Sequence, residues 1–218
     1  MSFFNPENRF WQLVGACIDI LLLGALWVLL SLTIVGFGPA STALYYALMK
    51  AIRRERGHPF REFFHSIREN WRRTILFGIL YYLLFLGMML MDYAVLVEPI
   101  LSGTVSDLLM LVLSLFKLFL LLSIGVYLFP IISRFEAGFL DTLLLTLRFV
   151  FGSFPRTIAA DLILAAAVFV SLWIPEITLL LPGLCAYALT FCVEPVLVRY
   201  IREADMDLSA ESDPWYLE

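Results

Sequence analysis

The sequence has few of the residues from which metal sites and disulfide frameworks are built. Its 218 residues include 3 cysteines and 2 histidines, and Asp, Glu, Lys and Arg together make up only 16%. The cysteines, Cys17, Cys185 and Cys192, all lie in apolar stretches, where cysteine behaves as a small hydrophobic residue. We therefore expect neither disulfide bonds nor a zinc site.

Common catalytic motifs are also missing. The chain has no Walker A loop and no Gly-x-Ser-x-Gly sequence, and no pair of carboxylates stands in a polar setting. His58 and His65 have no set of Cys, Asp or Glu at ligand spacing, so we interpret them as solvated side chains among arginines. We expect a protein that is not an enzyme and needs no cofactor and no metal.

Long apolar runs dominate the chain instead. Hydrophobic residues make up 61% of it, and its mean hydropathy is +0.90. Because a membrane-spanning helix needs about 20 mostly apolar residues, we predict an all-α, polytopic transmembrane helix bundle in one domain, residues 1–203, followed by an acidic cytoplasmic tail, 204–218. The six predicted spans are 11–35, 39–52, 74–96, 106–131, 157–174 and 177–200.

The second predicted span is short. Residues 39–52 cover about 21 Å as a helix, less than the hydrocarbon thickness of about 30 Å. The segment crosses the membrane if Lys50 extends its amine toward the cytoplasm; otherwise it is re-entrant, and five spans remain. We favour a crossing that begins at Pro39, because proline suits the first position of a helix.

One basic stretch orients the bundle. Residues 50–73 contain eight of the fifteen Lys and Arg residues, and such residues accumulate on the cytoplasmic side of a membrane. The loop 92–107 contains acidic residues but no Lys or Arg, and is predicted to lie outside. Six spans then place both termini in the cytoplasm of a bacterial cell.

Two further helices, 59–72 and 137–153, are predicted to lie as elbows along the inner interface. In the first elbow, Phe60, Phe63, Phe64, Ile67 and Trp71 share one face at helical spacing, which is typical of an interfacial helix. Its polar face is predicted to contact anionic lipid headgroups or a cytoplasmic partner. Nucleic acid is not expected, because the patch is short and interrupted by Glu. The candidate contact residues are Arg61, His65, Arg68, Arg72 and Arg73.

A charge at the bilayer centre costs about 2.5–3.5 kcal/mol on insertion scales, and four charged residues lie within the predicted spans. One hypothesis is a polar network or ion path, in which Asp19 or Asp161 reaches Lys117. The alternative, which we favour, is a set of ion pairs that fix helix register, with Asp161 and Glu194 paired to nearby arginines, Arg156 and Arg199. The four candidates are Asp19, Lys117, Asp161 and Glu194.

Several motifs carry a family resemblance. The run SLTIVGFGPASTALYY, residues 31–46, and the elbow sequence FREFF, residues 60–64, are similar to motifs of the YesL-like bacterial membrane proteins. The similarity covers roughly residues 5–203. In the second half of the chain it rests on Tyr127-Leu128-Phe129-Pro130, Arg134-Phe135-Glu136 and Pro155-Arg156-Thr157.

The resemblance implies an integral membrane protein of a family whose function is unknown. Members often sit beside carbohydrate-uptake genes, including those of sugar ABC transporters, and the family implies no catalytic residues. We therefore predict a non-catalytic accessory subunit associated with an ABC-type carbohydrate import system in the bacterial cell membrane. The alternative is an autonomous transporter or channel for small solutes that uses the charges within its spans.

Overall fold

The computed structural model describes residues 9–96, 105–135 and 137–205, and the regular structure in these ranges is entirely helical. This confirms the all-α class. A π-helical turn (Leu48–Arg53) continues the second helix, and a 3-10 turn (Pro175–Leu179) precedes the last. The α-helices are α1 (Arg9–Ser31), α2 (Ile34–Ala47), α3 (Pro59–Leu96), α4 (Val105–Ile132), α5 (Phe139–Gly152), α6 (Phe154–Trp173) and α7 (Leu181–Asp205).

Five of these helices, α1, α3, α4, α6 and α7, are long and apolar enough to cross a membrane. Large hydrophobic side chains cover their outer surfaces; Leu108 on α4 is 62% exposed and Leu172 on α6 is 76% exposed. An extensive exposed apolar surface marks contact with a membrane or with a partner. The predicted multi-pass transmembrane helix bundle is confirmed, with five helices of sufficient length and apolar character.

The predicted second span lies within a continuous helical segment. The 14 residues of α2 and the 6 residues of the π-helical turn run without a break from Ile34 to Arg53. The segment is antiparallel to α3, because Lys50 lies 2.8 Å from the Glu62 carboxylate at one end and Gly38 lies against Gly78 at the other. This direction is the one a crossing helix would have between α1 and α3, and six spans remain our prediction.

Glycines allow two pairs of helices to approach closely. A Cβ atom added to Gly38 would overlap the backbone of α3, and one added to Gly78 would overlap the backbone of α2. Helices α1 and α7 meet in the same way at Gly24 and Gly183. Small residues favour helix association in membranes, where close packing is a main driving force. Nine of the 14 residues of α2 are buried, so this helix forms the centre of the bundle.

Two hydrophobic clusters flank α2. Tyr45 and Met49 belong to a cluster with buried residues of α4, α5, α6 and α7, in which Tyr127 is fully buried. Leu44 and Leu48 belong to a second cluster with residues of α1 and α3. The central helix therefore joins both halves of the bundle, and side chains at its C-terminal end can reach groups from either half.

The break between the first two helices falls earlier than predicted. Helix α1 ends at Ser31, and α2 begins at Ile34, so Pro39 lies inside α2 and not at its first position. The cause is Thr33, whose Oγ1 accepts a hydrogen bond of 3.1 Å from the Gly36 amide. A threonine in this position caps a helix and so starts α2 before the proline.

The prediction of a separate first elbow, 59–72, is wrong. These residues are continuous with the third span in the 38-residue helix α3. No glycine or proline stands between Pro59 and Gly78, so nothing interrupts the backbone hydrogen bonds where the sequence changes from polar to apolar. Helix α3 is about 57 Å long, well over the hydrocarbon thickness of about 30 Å. Its N-terminal part, 59–73, is called the basic arm below.

The second elbow is a separate helix. Helix α5 (Phe139–Gly152) corresponds to the predicted 137–153, and α4 and α6 correspond to the predicted spans 106–131 and 157–174. Helix α7 begins only at Leu181, later than the predicted 177, because the 3-10 turn occupies the residues before it. Most of the predicted acidic tail, residues 206–218, lies outside the described residues.

Candidate functional site

A buried carboxylate on α7 collects one hydroxyl and two guanidinium groups from three other parts of the chain. Glu194 is only 4% exposed. Its Oε2 accepts a hydrogen bond of 2.8 Å from the Tyr45 hydroxyl and lies 2.6 Å from Nη2 of Arg134. Its Oε1 lies 3.3 Å from Nη2 of Arg54. We call these four residues, from α2, the end of the π-helical turn, the end of α4 and α7, the glutamate cluster.

The glutamate cluster is stable only as a set. The side chain of Arg134 is 1% exposed, that of Glu194 is 5% exposed and that of Arg54 is 17% exposed. A buried charge that loses its partner is strongly destabilising, so each member depends on the others. Burial lowers the pKa of the Arg54 guanidinium, and the carboxylate of Glu194 opposes that shift.

Two more basic side chains tie the π-helical turn after α2 to neighbouring helices. Arg53 donates a hydrogen bond of 2.9 Å to the carbonyl of Thr190 on α7. Lys50 pairs with Glu62 on α3 and donates a hydrogen bond of 3.0 Å to the Tyr46 hydroxyl. These two basic side chains therefore hold helices together.

The four charges predicted as one intramembrane network do not meet. The amine of Lys117 on α4 lies 2.5 Å from Oδ1 of Asp92 on α3, and so pairs with neither Asp19 nor Asp161. Helices α3 and α4 run antiparallel, which brings positions 92 and 117 together. Asp19 is half-buried on α1 and makes no hydrogen bond or ion pair with the rest of the described chain.

Asp161 is buried, but only one of its two carboxylate oxygens is hydrogen-bonded. It is 8% exposed, and its Oδ2 accepts a hydrogen bond of 2.5 Å from Ser123 on α4. Its Oδ1 has no hydrogen-bond partner within the described ranges. Its partner is therefore Ser123 and not the predicted Arg156, just as Glu194 pairs with Arg54 and Arg134 and not with the predicted Arg199.

The basic arm has three faces. Phe63 and Ser66 point into the bundle and are buried. The exposed basic face consists of Arg61, His65, Arg68 and Arg72. Beside it runs an exposed aromatic face formed by Phe60, Phe64 and Trp71, which are 38%, 54% and 47% exposed. The sequence predicted one apolar and one polar face, whereas the arm has three, because Phe63 and Ser66 form a buried face separate from the exposed aromatic side chains.

Arg73 does not belong to the exposed basic face. It is half-buried and donates hydrogen bonds of 2.7 Å to the carbonyl of Phe135 and of 2.7 Å to Oγ1 of Thr142. A third hydrogen bond goes to the carbonyl of Ala137. Arg73 thus fixes the end of the basic arm to the start of α5.

A cavity of about 350 Å³ lies between α1, α2, α3, α4, α6 and α7. A smaller cavity of about 180 Å³ shares part of the same wall and reaches Tyr45. We call the two together the aromatic cavity; it adjoins the glutamate cluster through Tyr45. The aromatic side chains of its larger lobe are Trp27, Phe37, Tyr81, Tyr82, Phe85 and Phe129.

The sequence identifies Glu194 as an unusual charge but does not reveal its partners. Tyr45, Arg54 and Arg134 are distant from it in the chain, and only the packing of α2, α4 and α7 brings them together. One available signal is that Arg54 and Arg134 each lie within a few residues of the end of a long apolar run. The described residues contain no group of three His, Cys, Asp or Glu that could hold a metal ion.

Residues 20–93 match the protein family described as "Protein of unknown function, DUF624". The match covers the second half of α1, the whole of α2 and most of α3, and the YesL-like resemblance agrees with it. Comparison with curated proteins and with solved structures gave no match.

Proposed function

Because residues 20–93 match a family of unknown function, we propose a role from the resemblance and the geometry together. The protein is a non-catalytic accessory subunit of an ABC-type carbohydrate import system, located in the bacterial cell membrane with both termini in the cytoplasm. The gene setting of YesL-like proteins motivates the link to carbohydrate. One observation supports an accessory role: the basic arm is exposed and is anchored to the bundle at both ends. Most charged side chains inside the bundle are paired with one another and hold helices together.

The interior offers little for solute transport. Glu194 is held by two arginines, and Lys117 is held by Asp92. A path for ions or sugars needs polar groups that line it, whereas aromatic and aliphatic side chains line most of the aromatic cavity. These features favour a protein that acts through its surface.

The basic arm is suited to such a contact because it is anchored at both ends. Glu62 pairs with Lys50 near its start, and Arg73 is fixed to α5 at its end. Between these anchors, Phe63 is fully buried. The exposed arginines therefore project from a stretch of helix that is held at both ends, which suits docking on a partner.

The exposed aromatic face supports a position of the arm at the level of the lipid headgroups. Aromatic and basic side chains together are typical of helices in the membrane interface. Each Lys or Arg near an anionic surface contributes about 1 kcal/mol of attraction. We propose that anionic lipids hold the arm at the inner surface and that its basic face contacts the import system there.

Affinity purification from native membranes in a mild detergent tests this proposal. Sugar-permease or ATPase subunits should co-purify in stoichiometric amount, as identified by mass spectrometry. The double variant Arg61→Glu/Arg68→Glu should lose them, whereas Arg148→Glu/Arg156→Glu, which reverses two exposed arginines outside the arm, should retain them. The proposal fails if the wild-type chain purifies alone or if both double variants retain the same partners.

An autonomous transporter is the second candidate, and Asp161 is the observation in its favour. Its Oδ1 is buried without a partner in the described part of the chain. In that case Asp161→Asn should change solute flux in vesicles that contain only the purified protein, while Lys117→Met should act through folding, because Lys117 pairs with Asp92. Flux through the purified chain alone would favour this candidate over the accessory role.

A further inference from the structure

Three polar groups in the wall of the aromatic cavity are hydrogen-bonded within the protein. The indole Nε1 of Trp27 donates a hydrogen bond of 3.0 Å to Oγ of Ser41, which donates one of 2.7 Å to the carbonyl of Phe37. The Tyr81 hydroxyl donates a hydrogen bond of 3.1 Å to the carbonyl of Leu121. These three groups are satisfied within the protein, and most of the remaining wall of the larger lobe consists of ring faces and aliphatic carbons.

Such a cavity favours an apolar occupant. A buried water needs about 2–4 polar partners, which the bonded groups of this wall do not offer. An empty space is unfavourable in proportion to its volume, because the lining atoms lose dispersion contacts. Engineered apolar cavities of about 150 Å³ already exclude water and take up benzene, and the larger lobe here has about 350 Å³.

The cavity is accessible from the hydrocarbon of the bilayer. Tyr82 and Phe85 on α3, Leu122 on α4 and Leu164 on α6 line the larger lobe but are only half-buried. All three helices are candidate membrane spans, so lipid surrounds this part of the wall. The smaller lobe extends the space toward Tyr45. A linear chain can occupy two connected lobes, which a compact molecule cannot.

We propose that the aromatic cavity binds one hydrocarbon chain of a membrane lipid, which enters between α3, α4 and α6 and ends beside Tyr45. The chain fills the space between α1 and α2 on one side and α4, α6 and α7 on the other. It completes the packing around the tyrosine that donates a hydrogen bond to Glu194. This site is independent of the accessory role and of the basic arm.

Native mass spectrometry of the full chain, released from nanodiscs of phosphatidylethanolamine and phosphatidylglycerol, tests the site. The wild-type protein should retain one lipid under activation that removes the others. Leu189→Trp, which fills the region shared by both lobes, should reduce the retained fraction at least about tenfold. The control Leu86→Trp, on the exposed surface of α3, should behave as wild type. Loss of the lipid from both variants, or from neither, would overturn the proposal.

A second measurement covers the case in which Leu189→Trp fails to fold. In a protein that keeps Trp27 as its only tryptophan, lipids with brominated chains should quench the fluorescence, and headgroup-labelled quenchers should not. Trp173, which is 76% exposed, serves as the lipid-facing reference in a matched single-tryptophan protein. Trp27 fluorescence that brominated chains leave unchanged, while Trp173 is quenched, would show that no chain enters the cavity.

Discussion

Replacing Glu194 by glutamine removes the one negative charge of the glutamate cluster while preserving the size of the side chain. The guanidiniums of Arg134 and Arg54, 1% and 17% exposed, would then lose their shared carboxylate. Removing one partner of a buried ion pair costs about 3–5 kcal/mol. Glutamine still offers an acceptor to the Tyr45 hydroxyl. The loss of stability therefore measures the effect of the missing charge and not of that hydrogen bond.

The expected effect is large enough to measure by thermal unfolding in a mild detergent. For a chain of this length, each kcal/mol shifts Tm by about 2–4 °C, so Glu194→Gln should lower Tm by roughly 6–20 °C. The matched control is Glu69→Gln, because the Glu69 side chain is 62% exposed and pairs only with His65 among the described residues. A surface pair contributes about 0–1 kcal/mol, so the control should shift Tm by at most a few degrees.

A double variant separates lost charge from lost shape. Glu194→Gln combined with Arg134→Gln removes a cation together with the carboxylate, so its loss of stability should be smaller than the sum of the two single losses. Residues in direct contact commonly show coupling of about 0.5–3 kcal/mol. Additive losses, or a Tm for Glu194→Gln as close to wild type as that of Glu69→Gln, would refute a buried ion cluster that holds α2, α4 and α7 together.

Three further predictions concern helix contacts. Gly38→Ala should lower Tm markedly, because its Cβ would overlap the α3 backbone, whereas Gly87→Ala, with nothing within 4 Å, should not; equal Tm values would argue against the close crossing. Lys117→Met should reduce the folded yield on size-exclusion chromatography, and adding Asp92→Asn should restore part of it; no recovery would argue against their pairing. Arg73→Gln should make the segment 135–138 sensitive to protease in inside-out membrane vesicles, and protection equal to wild type would contradict its anchoring role.

The length of the apolar runs is enough to predict five membrane helices, because few other structures can satisfy the backbone in hydrocarbon. Helix boundaries are harder to predict, since they depend on which local signal prevails. Thr33 caps α2 before Pro39 can start it. The change in polarity near Arg73 suggests a break, yet no residue there interrupts the helix, and α3 continues.

The partners of the buried charges could not be predicted, because they depend on which helices become neighbours. Several carboxylates within the predicted spans could pair with Lys117. The antiparallel packing of α3 and α4 brings Asp92 to it. Glu194 finds Arg134 and Arg54 because α2 lies between the two halves of the bundle. The sequence shows that charged residues lie within the apolar runs, which is enough to expect ion pairs. It does not show which residues pair, because that depends on which helices pack together.

The most direct test of the accessory role is photocrosslinking in native membranes from a reactive amino acid placed at position 68, in the middle of the exposed basic face. We expect a discrete adduct with a subunit of a sugar permease or its ATPase, identified by mass spectrometry. The same probe at position 140, where Leu140 is 70% exposed on α5, should give no such adduct. Adducts from position 68 that contain only lipid, or adducts that are the same from both positions, would contradict docking through the basic arm.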